Sequence, residues 1–183
     1  TYYGSLELNG KALQIRSLNG AASTTILASP GQPVVTVKDG EAPGTLISGF
    51  TLSGGGSPTE PAIDDEFSAL TLQDCILSGN AGLNIVYGRS PHLVLERVVM
   101  ENNTAYEGEL IRSRRGNITL KDSMIHCGTA TTGYILEHGA AFIDGGQFDC
   151  PGVRAIEIFH APSRIQRAQV NGLLYVENES TGS

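Results

Sequence analysis

The sequence predicts an all-β chain that winds into a stack of short parallel strands. Glycine supplies 23 of the 183 residues, nearly twice its usual share of about 7%. Glycines placed between short apolar runs indicate many tight turns, and hence many short strands. A degenerate repeat of 22 to 25 residues runs through the chain, and apolar and polar residues alternate within it. Together these observations predict one repetitive β domain.

Each copy of the repeat has an aliphatic anchor in its first strand. The anchors are Ile47, Leu72, Leu95, Leu120, Ile143 and Ile165. A second apolar position follows five residues after each anchor, at Leu52, Leu77, Met100, Ile125, Phe148 and Val170. A third precedes the later anchors by nine residues, at Ile63, Val86, Ile111, Tyr134 and Ile156. Three strands per repeat predict a parallel solenoid whose coils stack about 4.8 Å apart.

Helical repeats of similar length do not fit, because the copies are rich in β-branched residues and lack a helical apolar stripe. The pattern resembles the right-handed parallel β-helix repeat of the pectate lyase-like superfamily, clearly over residues 45–175. Residues 4–17, followed by Thr25–Leu27, resemble the first coils of such proteins. The resemblance implies a single-stranded right-handed parallel β-helix of about seven coils.

The predicted β-helix domain covers residues 1–175 and is followed by a polar tail, residues 176–183. An extracellular or surface location is favoured by the family resemblance alone. The chain has 12 Lys and Arg against 19 Asp and Glu, a net charge of −7, so we expect no nucleic-acid partner. No apolar run reaches the roughly 18 residues of a membrane span, and no signal peptide is visible.

Residues at equivalent positions of successive coils form columns along a solenoid. Two columns after the anchors alternate in charge, which predicts solvated charge ladders. Asn80 and Asn103 predict a short asparagine ladder at a turn. Cys127 and Cys150 share a column on adjacent coils, which allows either a disulfide or two stacked thiols. Cys75 lies in another column and should be free.

The main candidate site combines charged columns on neighbouring coils. One column contains Glu66, Arg89, Arg114 and Glu137, and the next contains Arg115, His138 and His160, with Arg112 nearby. Such a face suits an acidic sugar, whereas two histidines alone fall short of a metal site. Because the chain has no Trp, sugar stacking would need Tyr87, Tyr106 or Tyr134. The alternative interpretation is an ordinary solvated face.

Two weaker candidates stand beside it. Glu101, His126 and Asp149 share a column in which a histidine lies between carboxylates, an arrangement suited to proton transfer or simply another charge ladder. Asp64 and Asp65 belong to the densest acidic run and are weak calcium candidates. Successive residues of a strand face opposite ways, so both can bind one ion only if the strand bends. No other cofactor is expected.

The superfamily's catalytic motifs do not match this chain. Pectate lyases carry a strand resembling Trp-x-Asp-His, but the corresponding stretches, residues 71–74 and 94–97, keep only the acidic Glu96. The aspartate trio of polygalacturonases and the Asp-Pro-His-Asp-like motif of alginate epimerases are absent.

We therefore expect a non-catalytic binding or structural scaffold that presents a long face to polysaccharide or to a surface. The first alternative is a polysaccharide lyase or glycoside hydrolase acting on an acidic glycan, with Glu66, Arg89, Arg114, Glu137 and His138 as catalytic candidates. The second alternative is an assembly element, in which open solenoid ends pair strand to strand between chains. The fold alone does not choose among these functions.

Overall fold

The computed structural model describes residues 1–177, which form a parallel β-solenoid of about seven turns with no helix. The strands are β1 (Tyr2–Tyr3), β2 (Leu6–Glu7), β3 (Gln14–Arg16), β4 (Thr25–Leu27), β5 (Val35–Val37), β6 (Leu46–Ser48), β7 (Thr51–Ser53), β8 (Ile63–Glu66), β9 (Ala69–Gln73), β10 (Ile76–Ser78), β11 (Ala81–Gly82), β12 (Val86–Arg89), β13 (His92–Glu96), β14 (Val99–Glu101), β15 (Thr104–Ala105), β16 (Glu109–Lys121), β17 (Met124–His126), β18 (Thr132–Asp144), β19 (Gln147–Phe159), β20 (Ser163–Gln166) and β21 (Gln169–Glu177).

The strands form three long parallel faces, because each strand pairs with its equivalents in the coils before and after it. One face begins with β1, β4 and β7, the second with β2, β5 and β8, and the third with β3, β6 and β9. In the later coils, β16 and β18 each run from the second face onto the third, and β19 runs from the first onto the second. These long strands determine how residues on neighbouring faces are spaced.

The register confirms the predicted alignment of the coils. Leu72 pairs with Ile47 on one side and with Leu95 on the other, and the anchor column continues through Leu120 to Ile143 and Ile165. The two further apolar columns are also in register. Most of these side chains are fully buried and together fill one continuous core. Burial of this apolar surface is the main source of the solenoid's stability.

Two corners of the solenoid use left-handed backbone conformations. After the third face, Asp74, Arg97 and Asp122 have φ values of 52°, 52° and 46°. After the second face, Arg115 and His138 have φ values of 58° and 56°. Residues with side chains adopt this region rarely, so each corner holds a mild backbone strain that stacking must offset. The second of these corners borders the candidate site.

The asparagine ladder forms as predicted, although neither member is in the left-handed conformation that motivated its placement. Asn80 Oδ1 accepts a hydrogen bond from the Gly55 amide at 2.9 Å, and Asn103 Oδ1 accepts one from the Asn80 amide at 3.0 Å. The Nδ2 group of Asn80 donates to the Leu52 carbonyl at 2.9 Å. Both side chains are buried, so the ladder's role is to pair backbone groups that water cannot reach.

Cys127 and Cys150 form a disulfide between adjacent coils, with their Cα atoms 4.9 Å apart. This decides between the two arrangements that the sequence left open. Cys75 is free, as expected, and its thiol is buried. Burial raises the pKa of that thiol, which makes it a poor nucleophile.

Strand β21 extends to Glu177, so the first two residues of the predicted polar tail, Val176 and Glu177, belong to a strand. The rest of that tail lies outside the described residues. In the final coil Leu173, Leu174 and Val176 are exposed. End-to-end pairing between chains stays a prediction.

Candidate functional site

An open groove of about 460 Å³ lies where the second face meets its left-handed corner. Its lining residues are Tyr87, Arg89, Arg114, Arg115, Glu137 and His138. They come from three successive coils, through β12, β16 and β18. The structure therefore brings together most of the residues that the sequence placed in the main candidate site. We call this the arginine groove.

Strand register explains how the arginine groove is assembled. Arg89 is the direct neighbour of Arg114 in the parallel pairing of β12 with β16, and Arg114 is the neighbour of Glu137 on β18. Glu66 is aligned with Arg89 on the other side, but its side chain does not line the groove. Four of the five catalytic candidates thus lie together, and Glu66 lies at the margin.

Glu137 is held by two guanidinium groups. Arg112 Nη2 donates to Glu137 Oε1 at 3.0 Å, and Arg114 Nε donates to Glu137 Oε2 at 3.0 Å. Arg112 also lies 3.3 Å from a carboxylate oxygen of Glu107 and 3.6 Å from one of Glu109. Arg112 has three carboxylates around it and does not line the groove, so its role there is to hold Glu137.

Two other guanidinium groups in the groove have no carboxylate partner. Arg89 packs over the ring of Phe67, with its guanidinium carbon 5.4 Å from the ring centre. Within residues 1–177, neither Arg89 nor Arg115 forms an ion pair. The groove therefore carries uncompensated positive charge, although the chain as a whole has a net charge of −7. A concave positive site on an acidic protein attracts anions.

The predicted pairing of His138 and His160 is present. Their rings stack with centroids 5.3 Å apart and planes inclined by 23°. Among the described residues, no group of three or more His, Cys, Asp or Glu side chains is placed to hold a metal ion. His138 lines the groove, and the stacked ring of His160 from the next coil supports the position of the His138 ring.

The prediction that Tyr134 stacks against a ligand is wrong. Its side chain is fully buried in the core, in register with Ile111 and Ile156. Burial raises the pKa of its phenol strongly, and the hydroxyl has no hydrogen-bond partner within the described chain. Tyr87 is partly exposed and lines the groove, and it is the aromatic side chain that a ligand there would meet.

The second candidate column is aligned as expected. His126 pairs with Asp149 in the register of β17 and β19, and its Nδ1 lies 3.5 Å from Asp149 Oδ2. Asp149 Oδ1 also accepts a hydrogen bond from Asn171 Nδ2 at 2.7 Å. Glu101 is one coil away, but no hydrogen bond or ion pair joins its side chain to His126 in the described region. These contacts are those of an exposed polar ladder, and they include no nucleophile.

The calcium candidates point to opposite sides of β8. Asp64 faces outward, where Lys38 Nζ lies 2.5 Å from Asp64 Oδ2. Asp65 faces the interior, has no exposed surface, and neither of its oxygens has a hydrogen-bond partner in the described coils. A shared calcium site would require the strand to bend, and it is straight through this pair.

Burial, together with the carboxylates of Glu41 and Asp64, raises the pKa of Asp65 to about 8. Glu41 is also buried, which by itself would raise its pKa. Its carboxylate accepts hydrogen bonds from the Gly10 amide, the Ser68 hydroxyl and the Asp39 amide, and these bring its pKa below the usual value. Asp65 was predicted only as a weak calcium ligand, and Glu41 was not predicted to have a role.

No model of a protein family, no curated protein and no solved structure is significantly similar to this chain. The relationship to the pectate lyase-like superfamily therefore stays a prediction from the repeat pattern. Residues 1–177 contain no helix that is long and apolar enough to cross a membrane.

Proposed function

We propose that this chain is a non-catalytic β-solenoid module that binds an acidic polysaccharide through the arginine groove. The observation that carries the proposal is the pair of unpaired guanidinium groups, Arg89 and Arg115, in one open groove of a chain with a net charge of −7. Guanidinium groups bind carboxylates and sulfates with two parallel hydrogen bonds. An open groove suits a chain ligand better than it suits a small metabolite, which is usually enclosed.

Tyr87 adds an apolar surface to this site. It lies on β12 two residues before Arg89, so its ring and that guanidinium project from the same face of the solenoid. A sugar ring can pack its C–H groups against the tyrosine while its acidic group meets an arginine. The combination favours an acidic sugar over a simple inorganic anion.

The hydrogen bonds that Glu137 accepts favour binding over catalysis. Both oxygens of Glu137 already accept hydrogen bonds from arginines, so this carboxylate is engaged in holding the wall of the groove. Glu66, the other acidic candidate, stands outside the lining of the groove. The proposal includes membership of the right-handed pectate lyase-like superfamily, which the 22- to 25-residue period and the stacked columns support.

The proposal is tested by measuring the affinity of the chain for polygalacturonate by calorimetry, with neutral dextran as the reference polymer. The double variant Arg89→Gln, Arg115→Gln should lose at least about tenfold in affinity, since each charged contact is worth about 1.5–3 kcal/mol. Arg16→Gln, which removes an arginine from the first coil, is the matched control and should bind normally. Binding should weaken as salt is added.

Two results would contradict this function. If the chain binds no member of a panel of carboxylated and sulfated glycans, the proposed ligand class is wrong. If the double variant binds as tightly as the wild type, the proposed binding site is wrong. Release of unsaturated or reducing ends from the polymer during the same incubation would show that the module is an enzyme, which was the alternative drawn from the sequence.

A further inference from the structure

We infer, on the basis of the proposed function, that the binding surface continues around the corner onto the third face, where Asn117, Phe142 and Arg164 form a second subsite for the same acidic chain. A separate depression of about 370 Å³ lies there, between β16, β18 and β20. This depression shares no lining residue with the arginine groove. We call this depression the aromatic subsite.

The two depressions are built on the same strands. Strand β16 carries Arg115 at the groove and, two residues later, Asn117 at the aromatic subsite. Strand β18 likewise carries His138 at the groove and Ala140 at the subsite. Two residues span at most about 7 Å, which is a short distance for an oligosaccharide. A sugar chain lying in the groove therefore reaches the subsite by passing the corner formed by these two strands.

A pair of glycines makes this corner compact. A Cβ atom on Gly116 would lie 2.0 Å from Cδ of Pro91, and one on Gly139 would lie 2.0 Å from the carbonyl oxygen of Gly116. Only glycine allows adjacent coils to approach so closely here. The strands therefore turn from one depression to the other without an intervening loop, which keeps the two surfaces continuous.

The chemistry of the aromatic subsite suits a sugar that carries an acidic group. Phe142 faces outward in register between Thr119 and Arg164, and the Arg164 guanidinium carbon lies 6.0 Å from the centre of its ring. Arg164 forms no ion pair in the described part of the chain, so its charge is available to a ligand. A ring, an amide and a guanidinium together provide a stacking surface, a hydrogen-bonding group and an anion contact.

Small side chains keep the subsite open. Ala140 lies beside Asn117 in the strand register, and Ser163 of the next strand, which pairs with Ala141, also lines the depression. A large side chain at Ala140 would fill the depression. The depression is thus a consequence of these small residues next to one outward phenylalanine, a combination that recurs nowhere else among the anchor strands.

The test measures affinity as a function of ligand length. Galacturonate oligomers from the disaccharide to the dodecasaccharide are titrated into the wild type, Arg164→Gln and Phe142→Ala. Short oligomers should bind all three equally, since they occupy the arginine groove. Long oligomers should bind the wild type more tightly than the short ones, and each variant should lose this gain, by about tenfold for Arg164→Gln. Lys11→Gln, in the first coil, is the control for loss of an exposed positive charge.

The outcomes separate the two proposals. If long oligomers bind Arg164→Gln as tightly as the wild type, while the Arg89, Arg115 double variant fails to bind, the second subsite is wrong and the proposed function stands. If no oligomer of any length binds the wild type, both proposals fail. Arg164 is exposed, so its substitution should leave folding intact even if Phe142→Ala proves unstable.

Discussion

The buried carboxyl of Asp65 should make the protein less stable as the pH rises from 4 to 8. The side chain lies inside the coil on β8, and its pKa is raised from 3.8 to about 8. In the unfolded chain the carboxyl ionises near its ordinary pKa, so folding at neutral pH must return a proton to it. A group whose pKa is raised by folding contributes its full stability below its pKa in the unfolded chain. This stability is lost as the pH rises through its pKa in the folded protein.

The size of the effect on the free energy of unfolding follows from the shift in the pKa of Asp65. Each pH unit between the two pKa values changes the free energy of unfolding by about 1.4 kcal/mol. At pH 7 the cost of keeping Asp65 protonated therefore reaches up to about 4 kcal/mol. That is a large fraction of the 5–15 kcal/mol that typically separates folded from unfolded domains.

Asp65→Asn replaces the carboxyl with a neutral group of the same shape. The amide adds buried N–H donors, whose cost of about 1–3 kcal/mol does not depend on pH. The informative quantity is therefore the difference in unfolding free energy between variant and wild type, measured by urea denaturation with circular dichroism at pH 4.5, 6 and 7.5. This difference should shift in favour of the variant by about 4 kcal/mol across the range.

Asp64→Asn is the comparison variant, because it makes the same chemical change on the opposite side of the same strand. It removes the partner of Lys38 and should lower stability at neutral pH. It also removes one of the carboxylates that raise the pKa of Asp65, so the pH dependence should be reduced in this variant but not abolished. If the difference between Asp65→Asn and the wild type is the same at all three pH values, the carboxyl is ionised in the folded protein and the reasoning fails.

Three further predictions concern the groove and the wall of the solenoid. Glu137→Gln should strengthen binding of polygalacturonate severalfold in calorimetry, because it frees Arg114 from a competing carboxylate, and unchanged affinity would show that the two do not compete. Cys150→Ser should lower the unfolding free energy by about 2–4 kcal/mol, as measured in urea, while a loss that remains when the variant is compared with the reduced wild type would assign the effect to packing. Asn80→Ala should destabilise by about 2–3 kcal/mol, whereas Asn19→Ala, which changes an exposed asparagine of the first coil, should be close to neutral in thermal melts.

The fold could be predicted from the sequence because one repeating distance determines almost every contact. Once Leu72, Leu95 and Leu120 are aligned, the parallel register places all other columns, and the observed pairing agrees with that alignment. The arginine groove could be predicted for the same reason, since its residues lie at equivalent positions of adjacent coils. The side-chain contacts could not be predicted, because a column gives a residue's neighbours but not the rotamers that bring Arg112 and Arg114 onto Glu137.

The alternation of the strands in the sequence already indicates that two side chains, Tyr134 and Asp65, point to the interior. Tyr134 occupies an interior column, so its burial follows from the same alternation that places Ile111 and Ile156 inside. Asp65 is two residues after Ile63 on the same strand, which places it inside as well. In both cases the chemical character of the residue suggested a surface role, and the period of two was the better guide. Glu41 lies outside the repeat, so no column could have located it.

The charged side chains are arranged differently at the two left-handed corners. After the third face, Arg97 forms two hydrogen bonds to Asp74 of the preceding coil, at 2.7 and 3.0 Å, and the alternating column is internally neutralised. Beside the second corner, Arg89 is placed directly next to Arg114, where like charges on adjacent strands repel. In this column, which runs through Glu66, Arg89, Arg114 and Glu137, no acidic side chain stands between the two arginines. An anion bound between the two guanidinium groups would offset their repulsion, and this is the physical reason to expect an anionic ligand at the arginine groove.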